Sequence, residues 1–501
     1  MLFNSYEFIF VFLPISFFVY FYLNHKRLTV ASKAWLILTS LFFYSWWNIA
    51  YLPLILISIL FNYTISRTIS GHSENKNIFV SKKSLLKFGL VFNIGLLAYF
   101  KYMDFFIENT NKVLGSNIEL LHIALPLAIS FFTLQQIAFL VDSYEGLVEE
   151  KKLLDYTIFV TFFPQLIAGP IVHHKEMMPQ FSSAKNKIKN YNNIAMGLLI
   201  FSIGLFKKVV IADTFAIWAT TGFDTATTLN LIEAWATSFS YTFQLYFDFS
   251  GYTDMAIGAA LLFNIKLPQN FNSPYKATGM IDFWKRWHMT LTNFITTYIY
   301  TPIVKSFEKL TLHKAMLATI ITFLIAGLWH GASWMFVIFG GLNGLGIAIN
   351  HYWKKYRIKM NKILAWFITF NFINITFVFF RAKELDDAMK VLSSMFSIDN
   401  VVLPDKLESK LSFLSNYGIE FGWWAKDIGG NDWTAIWLIM GFILVLVFKN
   451  SFQKLDILKM DYKLNFFSVI AFVSSGFLSA VALVGGVTSL NKVSEFLYFN
   501  F

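Results

Sequence analysis

The chain has 501 residues, of which 56% are hydrophobic, 19% aromatic and only 14% charged, and its mean hydropathy is +0.54. A soluble domain of this length needs roughly a quarter of its residues charged to cover its surface, so the composition excludes one and makes the bilayer the solvent. There is no cysteine, which excludes disulfides, thiolate metal sites and a cysteine-borne acyl intermediate, and the net charge of +11 sits in lysines of short loops between apolar stretches, a pattern that retains loops in the cytoplasm.

Apolar stretches of about 20 residues with few charges read as spans. The first, 7–23, ends in His25, Lys26 and Arg27 without a small-residue cleavage site, which predicts a retained helix. Further spans are expected near 34–47, 51–66, 86–102, 121–141, 195–217, 233–263, 315–329, 332–352, 363–380, 434–448 and 464–485. Basic linkers at 24–33, 67–87, 173–194, 264–287, 305–314, 353–362 and 449–463 all fall on one side, the cytoplasm. The other side then receives 103–119 and 381–433, the latter a small acidic periplasmic excursion with Trp423, Trp424 and Gly429-Gly430. Two apolar segments break the alternation: 156–172, with Pro164 and Pro170, and 289–304, with Pro302. Both predict re-entrant backbone, which must be buried in protein or line a wet cavity. No inverted repeat of the transporter kind is visible, and no linker divides the chain. The expected fold is one all-α polytopic membrane domain over 1–501, with about 11–12 transmembrane helices and two re-entrant segments.

Polar residues where lipid should be are site hypotheses by default. Gln244, Asp248 and Tyr252 recur every four residues inside an apolar span, so on a helix they form one stripe facing the bundle interior. Asp248 is either a site residue or the acceptor for an unwound turn at Gly251, while Asp254 reads as structural. A second cluster holds Asn270, Asn272, Asp282, Trp284, Arg286, Trp287 and His288. On a helix Asp282 and Arg286 would pair, and Trp284 would back the His288 imidazole; alternatively Trp284, Arg286 and Trp287 form an interfacial belt. The sharpest signal is Gly327-Leu328-Trp329-His330-Gly331-Ala332-Ser333-Trp334. His330 is flanked on both sides by apolar residues and has no loop to retreat to. An imidazole kept uncharged there can accept a proton from a hydroxyl; the alternative is a ring that satisfies a backbone carbonyl between helices. No metal-ligand spacing is present, and none is expected to be used.

These motifs, Phe247 to Tyr252, Asn270-Phe271-Asn272, Phe283 to His288 and Gly327 to Ala332, resemble those of the membrane-bound O-acyltransferase family. Ser130 to Gln136, Phe163 to Ile171, Val378 to Ala382 and the closing Phe496 to Phe501 are similar to its bacterial branch, which contains the membrane subunits of alginate and peptidoglycan O-acetyltransferases. The resemblance implies tilted helices around a central tunnel, with His330 the catalytic histidine and His288 the second catalytic histidine, toward the cytoplasm. His330 would deprotonate the incoming hydroxyl or briefly carry the acetyl itself, and His288 would orient the thioester or protonate the leaving thiolate. It implies a tunnel lined from Gln244, Asp248, Tyr252, Asn270, Trp284, Arg286, Trp287, Trp329 and Trp334, and it matches Arg381 to a family arginine. The implied activity moves an acetyl group from cytoplasmic acetyl-coenzyme A, a substrate rather than a bound cofactor, across the inner membrane to a periplasmic glycan. Delivery is direct or through a periplasmic serine-hydrolase-like acetyltransferase, and lysine-biased coding favours peptidoglycan over alginate as acceptor. A flippase for lipid-linked sugars and a scaffold for the partner enzyme are the competing readings. His173-His174 departs from the family pattern and reads as part of a solvated loop, with anion binding the alternative.

Overall fold

A computed structural model describes residues 1–71, 80–148, 152–167, 169–453, 484–488 and 497. The described residues are mostly helical, and the only sheet among them is the parallel pair Val401–Pro404 and Ile419–Gly422. Among the described residues, seven helices are long and apolar enough to cross a membrane: Glu7–His25, Ile49–Gly71, Lys82–Leu114, Tyr191–Thr225, Leu312–His330, Trp334–Lys355 and Lys362–Arg381. Their starts follow from local chemistry. Thr311 accepts the backbone N–H of Lys314, Ser333 that of Met335 and Asn361 that of Ile363, so orphan donors of the first turn are satisfied by side chains.

Other expected spans are helical but shorter, such as Thr29–Ser45, Ile129–Tyr144 and Thr434–Leu446. The helix Leu231–Leu262 is 32 residues long, and its polar residues dilute its hydropathy. The expected span 464–485 and the closing motif Phe496 to Phe501 lie almost wholly outside the described residues.

Of the two segments expected to re-enter, only the first is a broken helix; 289–304 is helical without interruption, because Pro302 falls in the first turn of Thr301–Lys305, where a missing N–H is tolerated. Leu153–Thr161 ends at Phe162, a single helical turn Phe163–Leu166 follows, and Phe162, Phe163 and Gln165 are buried. The Phe163 N–H, freed by the break, donates to Ser40 Oγ at 3.0 Å, which is how irregular backbone survives inside a membrane protein. Met289–Ile295 continues into a π-helical turn, Thr296–Tyr300, before Pro302.

The described chain forms two compact units, one built mainly from Met1–Leu205 with Tyr252–Gln269, the other from Phe206–Gly251 with Asn270–Tyr462. In the first, a buried amide cluster joins three helices. Asn62 and Asn93 exchange hydrogen bonds at 3.1 and 2.6 Å, and Ser58 donates to Gln136 Oε1 at 2.8 Å; such groups act as glue where apolar surface gives no net drive to associate. The second unit holds both candidate histidines.

Candidate active site

His330 is the last residue of the helix Leu312–His330, and the next helix, Trp334–Lys355, starts four residues later. The two helices meet backbone to backbone. A Cβ added at Gly327 would lie 2.3 Å from the Phe336 carbonyl oxygen, and one at Gly340 would lie 2.3 Å from that of Phe323. Only glycine permits that approach, and it fixes the helix end that carries the imidazole. The ring is 5% exposed. Trp329, Phe380 and Phe339 surround it with ring centroids at 5.0, 5.1 and 6.2 Å, all steeply inclined to it.

Beside the ring lies a void of about 10 Å³ lined by Trp284, Leu291, Thr292, Ile295, Phe323, Ala326, Gly327 and Phe339, room for about one water. A wider cavity of about 220 Å³ is lined by Ile281, Lys285, Thr296, Tyr300, Thr319, Thr322, Ile347 and His351 together with Trp284, Thr292, Ile295 and Phe323. The last four side chains face both spaces, so they form the partition between them. Trp284 is held in that partition by its indole N–H, which donates to Asn343 Oδ1 at 3.2 Å, and by an edge contact with Phe323 at 5.0 Å.

His288 is organised by Asn270. Asn270 Oδ1 accepts from the Thr290 backbone N–H at 3.2 Å and from the Thr290 hydroxyl at 2.9 Å, and it lies 3.1 Å from His288 Nδ1. A backbone N–H can only donate, so the amide oxygen is the acceptor and His288 Nδ1 carries the proton. In a neutral ring Nε2 is then a lone-pair acceptor. The residue adopts φ 43°, a left-handed backbone uncommon for a side chain other than glycine. Phe249 meets the ring edge-on at 4.8 Å. Burial disfavours its charged form and pushes the imidazole well below its ordinary range.

The model of the membrane-bound O-acyltransferase family, MBOAT, matches residues 17–383 of this chain. The chain belongs to that family. The acyltransferase is 46% identical to a peptidoglycan O-acetyltransferase of Helicobacter pylori, over 100% of this chain and 98% of that one. It is 34% identical to a probable alginate O-acetylase of Azotobacter vinelandii over 83% of this chain and 82% of the relative. It is also 27% identical to a teichoic acid D-alanyltransferase of Streptococcus thermophilus over 51% of this chain and 68% of the relative. It is a multi-pass membrane enzyme, and its reaction is acyl transfer.

Several residues of the acyltransferase stand differently from their sequence reading. Asp282 and Arg286 do pair, at 2.8 Å, and Arg286 also donates to the Asn272 carbonyl. The helix, however, covers only Met280–Trp284, so Trp284 does not back His288; Phe249 does. Trp284 and Trp287 are 6% and 3% exposed and form no interfacial belt; Trp287 stacks on Phe283 with centroids 5.7 Å apart. The stripe is buried as expected, but Gln244 and Asp248 belong to the second unit and Tyr252 to the first, where it stacks on Phe3 at 4.8 Å. No unwound turn exists at Gly251, since the helix runs through it. Asp248 instead binds Lys208 Nζ at 2.6 Å, and Lys208 also meets Asp213 at 3.0 Å. Trp334 is 56% exposed, and neither it nor Trp329 lines the two cavities. Arg381 is held by both carboxylate oxygens of Asp224. His174 is buried, so it is no part of a solvated loop. Burial works against ionisation of its partner Asp142, but hydrogen bonds from His173 and His174 outweigh it and hold that carboxyl well below the usual range.

Lys208, Asp224 and Asn343 were not marked by sequence reasoning. Lys208 falls inside the expected span 195–217, where the apolar run drew the reading, and nothing local shows that carboxylates 5 and 40 positions on close over it.

Proposed function

We propose that the enzyme takes an acetyl group from acetyl-coenzyme A on the cytoplasmic side of the inner membrane and supplies it for O-acetylation of peptidoglycan N-acetylmuramic acid. Delivery is direct or through a periplasmic serine-hydrolase-like acetyltransferase. The observation that carries this reading is the 46% identity with the Helicobacter pylori peptidoglycan O-acetyltransferase along the entire chain. The cavities supply a chemical rationale. Lys285 and His351 line the wider one, where a cation attracts the phosphates of the donor, and His330 lies beyond the partition.

In this scheme the acceptor hydroxyl oxygen attacks the thioester carbonyl, His330 takes the hydroxyl proton, the C–O bond forms and the C–S bond breaks, and the proton returns to the departing thiolate. His288 acts as a positioning residue. Burial disfavours its charged form and its Nδ1 proton is engaged by Asn270, which favours orienting the thioester over protonating the thiolate.

Mass spectrometry of muropeptides from a deletion strain tests the reading. Loss of muramic-acid O-acetylation is expected, with restoration by the wild-type gene and a deficit of about 10²–10⁴-fold for His330→Ala at equal membrane accumulation. Unchanged muropeptides would reject the acceptor and turn attention to an exopolysaccharide, the reading favoured by similarity to the alginate O-acetylase. Wild-type acetylation by His330→Ala would remove the histidine from the mechanism and leave a scaffold.

A further inference from the structure

The strongest feature outside the acyl-transfer site is a cluster in the first unit made by Asp142, His173 and His174. Asp142 lies near the end of the helix Ile129–Tyr144, and the two histidines open the helix His174–Ser182. Both imidazoles turn Nε2 to the same carboxylate oxygen, Asp142 Oδ2, at 2.6 and 2.8 Å. One donor atom from each of the three residues falls within 4.8 Å of the others. The rings lie side by side with centroids 4.4 Å apart, and Phe139 closes an apolar wall against His174 at 5.4 Å. His174 and Asp142 are buried, whereas the His173 side chain is 29% exposed, so the cluster is open to water on one side.

We infer that Asp142, His173 and His174 form a binding site for one divalent transition-metal ion of the Zn²⁺ class, which staples the end of Ile129–Tyr144 to the start of His174–Ser182. The donor set is two imidazole nitrogens and one carboxylate oxygen, which suits borderline ions such as Zn²⁺ and disfavours Mg²⁺ and Ca²⁺, whose ligands are oxygens. Bonds of about 2.0–2.1 Å in a tetrahedral site set donors about 3.3 Å apart, so the carboxylate oxygen, now 2.6 and 2.8 Å from the two nitrogens, needs to part from each by well under an ångström. A carboxylate shared by two rings places one negative charge between two nitrogen donors. Replacing the shared protons by a single 2+ ion keeps all three groups satisfied and leaves a fourth position for water on the open side.

Binding has one local cost. His173 Nδ1 now accepts the Lys175 backbone N–H at 3.3 Å, and a ring ligating through Nε2 carries its proton on Nδ1, so this long contact must open. The inference is independent of the acyl donor and acceptor.

The test uses the full chain purified in detergent with a histidine-free tag, stripped with chelator and then given Zn²⁺ or Co²⁺ alone. After desalting, the wild type is expected to retain about one equivalent of Zn²⁺ and to unfold at higher temperature than the stripped protein. His173→Ala, chosen because that ring is the more exposed, is expected to lose both effects, as is Asp142→Asn. Equal retention by wild type and His173→Ala, or no retention by either, overturns the site. Should the variants fail to accumulate, the Co²⁺ spectrum of the wild type decides. Intense four-coordinate absorption bands uphold the site, and the weak bands of six-coordinate, hydrated Co²⁺ overturn it.

Discussion

His288 shows how a single amide can define the chemistry of a buried ring. Asn270 fixes the proton on Nδ1, and burial keeps the imidazole neutral, so the folded protein does not take up a proton there in the ordinary imidazole range. The unfolded chain does, with a pKa of about 6.5. Below that pH the unfolded state binds more protons than the native state, and stability falls with acidification by up to about 1.4 kcal/mol per pH unit for this one group. The contribution is complete above about pH 6.5 and is lost as the pH drops. His288→Gln removes it. Thermal unfolding of both proteins between pH 7 and pH 5 checks this, and the gap between wild type and variant should change in the variant's favour as pH falls. A constant gap would mean that the ring is not held neutral. His330 stood out in the sequence as an imidazole flanked by apolar residues, and His288 as one set where a basic loop enters an apolar segment. The partner that sets the His288 tautomer is 18 positions away, and its precise role depends on a tertiary approach that residue spacing does not encode.

Between helices, the same limit on legibility recurs. The long apolar helices follow from hydropathy, and the break at Phe162 was visible through Pro164, whereas Pro302 marked no break. What pairs with what was not. Lys208 belongs to Tyr191–Thr225, and Asp248 to Leu231–Leu262, yet the two side chains are 3% and 1% exposed and bridge at 2.6 Å. Removing one member of a buried ionic group leaves an uncompensated charge, which costs about 3–5 kcal/mol. Lys208→Met leaves Asp213 and Asp248 facing each other's charge without the cation, and membrane accumulation should collapse. Asp248→Asn should be milder, because Lys208 retains Asp213. Adding Asp213→Asn and Asp248→Asn to Lys208→Met neutralises the group and should recover much of the accumulation. Detergent-extracted yield and thermal unfolding of the four proteins measure this. Equal loss in the single lysine variant and the triple variant would show that the lysine stem, rather than the charge balance, matters.

For the enzyme as a catalyst, the decisive quantity is the size of the space beside His330. That space holds about one water, while the cavity that shares Trp284, Thr292, Ile295 and Phe323 with it is distinctly wider. A donor reaching His330 from the wider cavity must place its acyl group past the partition, so the partition measures acyl length. One methylene too many against a fixed apolar wall changes discrimination by about 10–200-fold, which would confine the natural donor to a short acyl group such as acetyl. Trp284 is the largest element of that wall and is pinned by Asn343. Trp284→Ala joins the two spaces and should raise transfer from butyryl-coenzyme A relative to acetyl-coenzyme A by about tenfold or more. Truncating a buried tryptophan also costs about 3–5 kcal/mol, so total activity will fall with the amount of folded enzyme. The ratio of the two donors, measured on one preparation, is insensitive to that loss, and Trp284→Phe should give an intermediate ratio with near-normal accumulation. If the ratio stays at the wild-type value in both variants, acyl length is set elsewhere and Trp284 only packs.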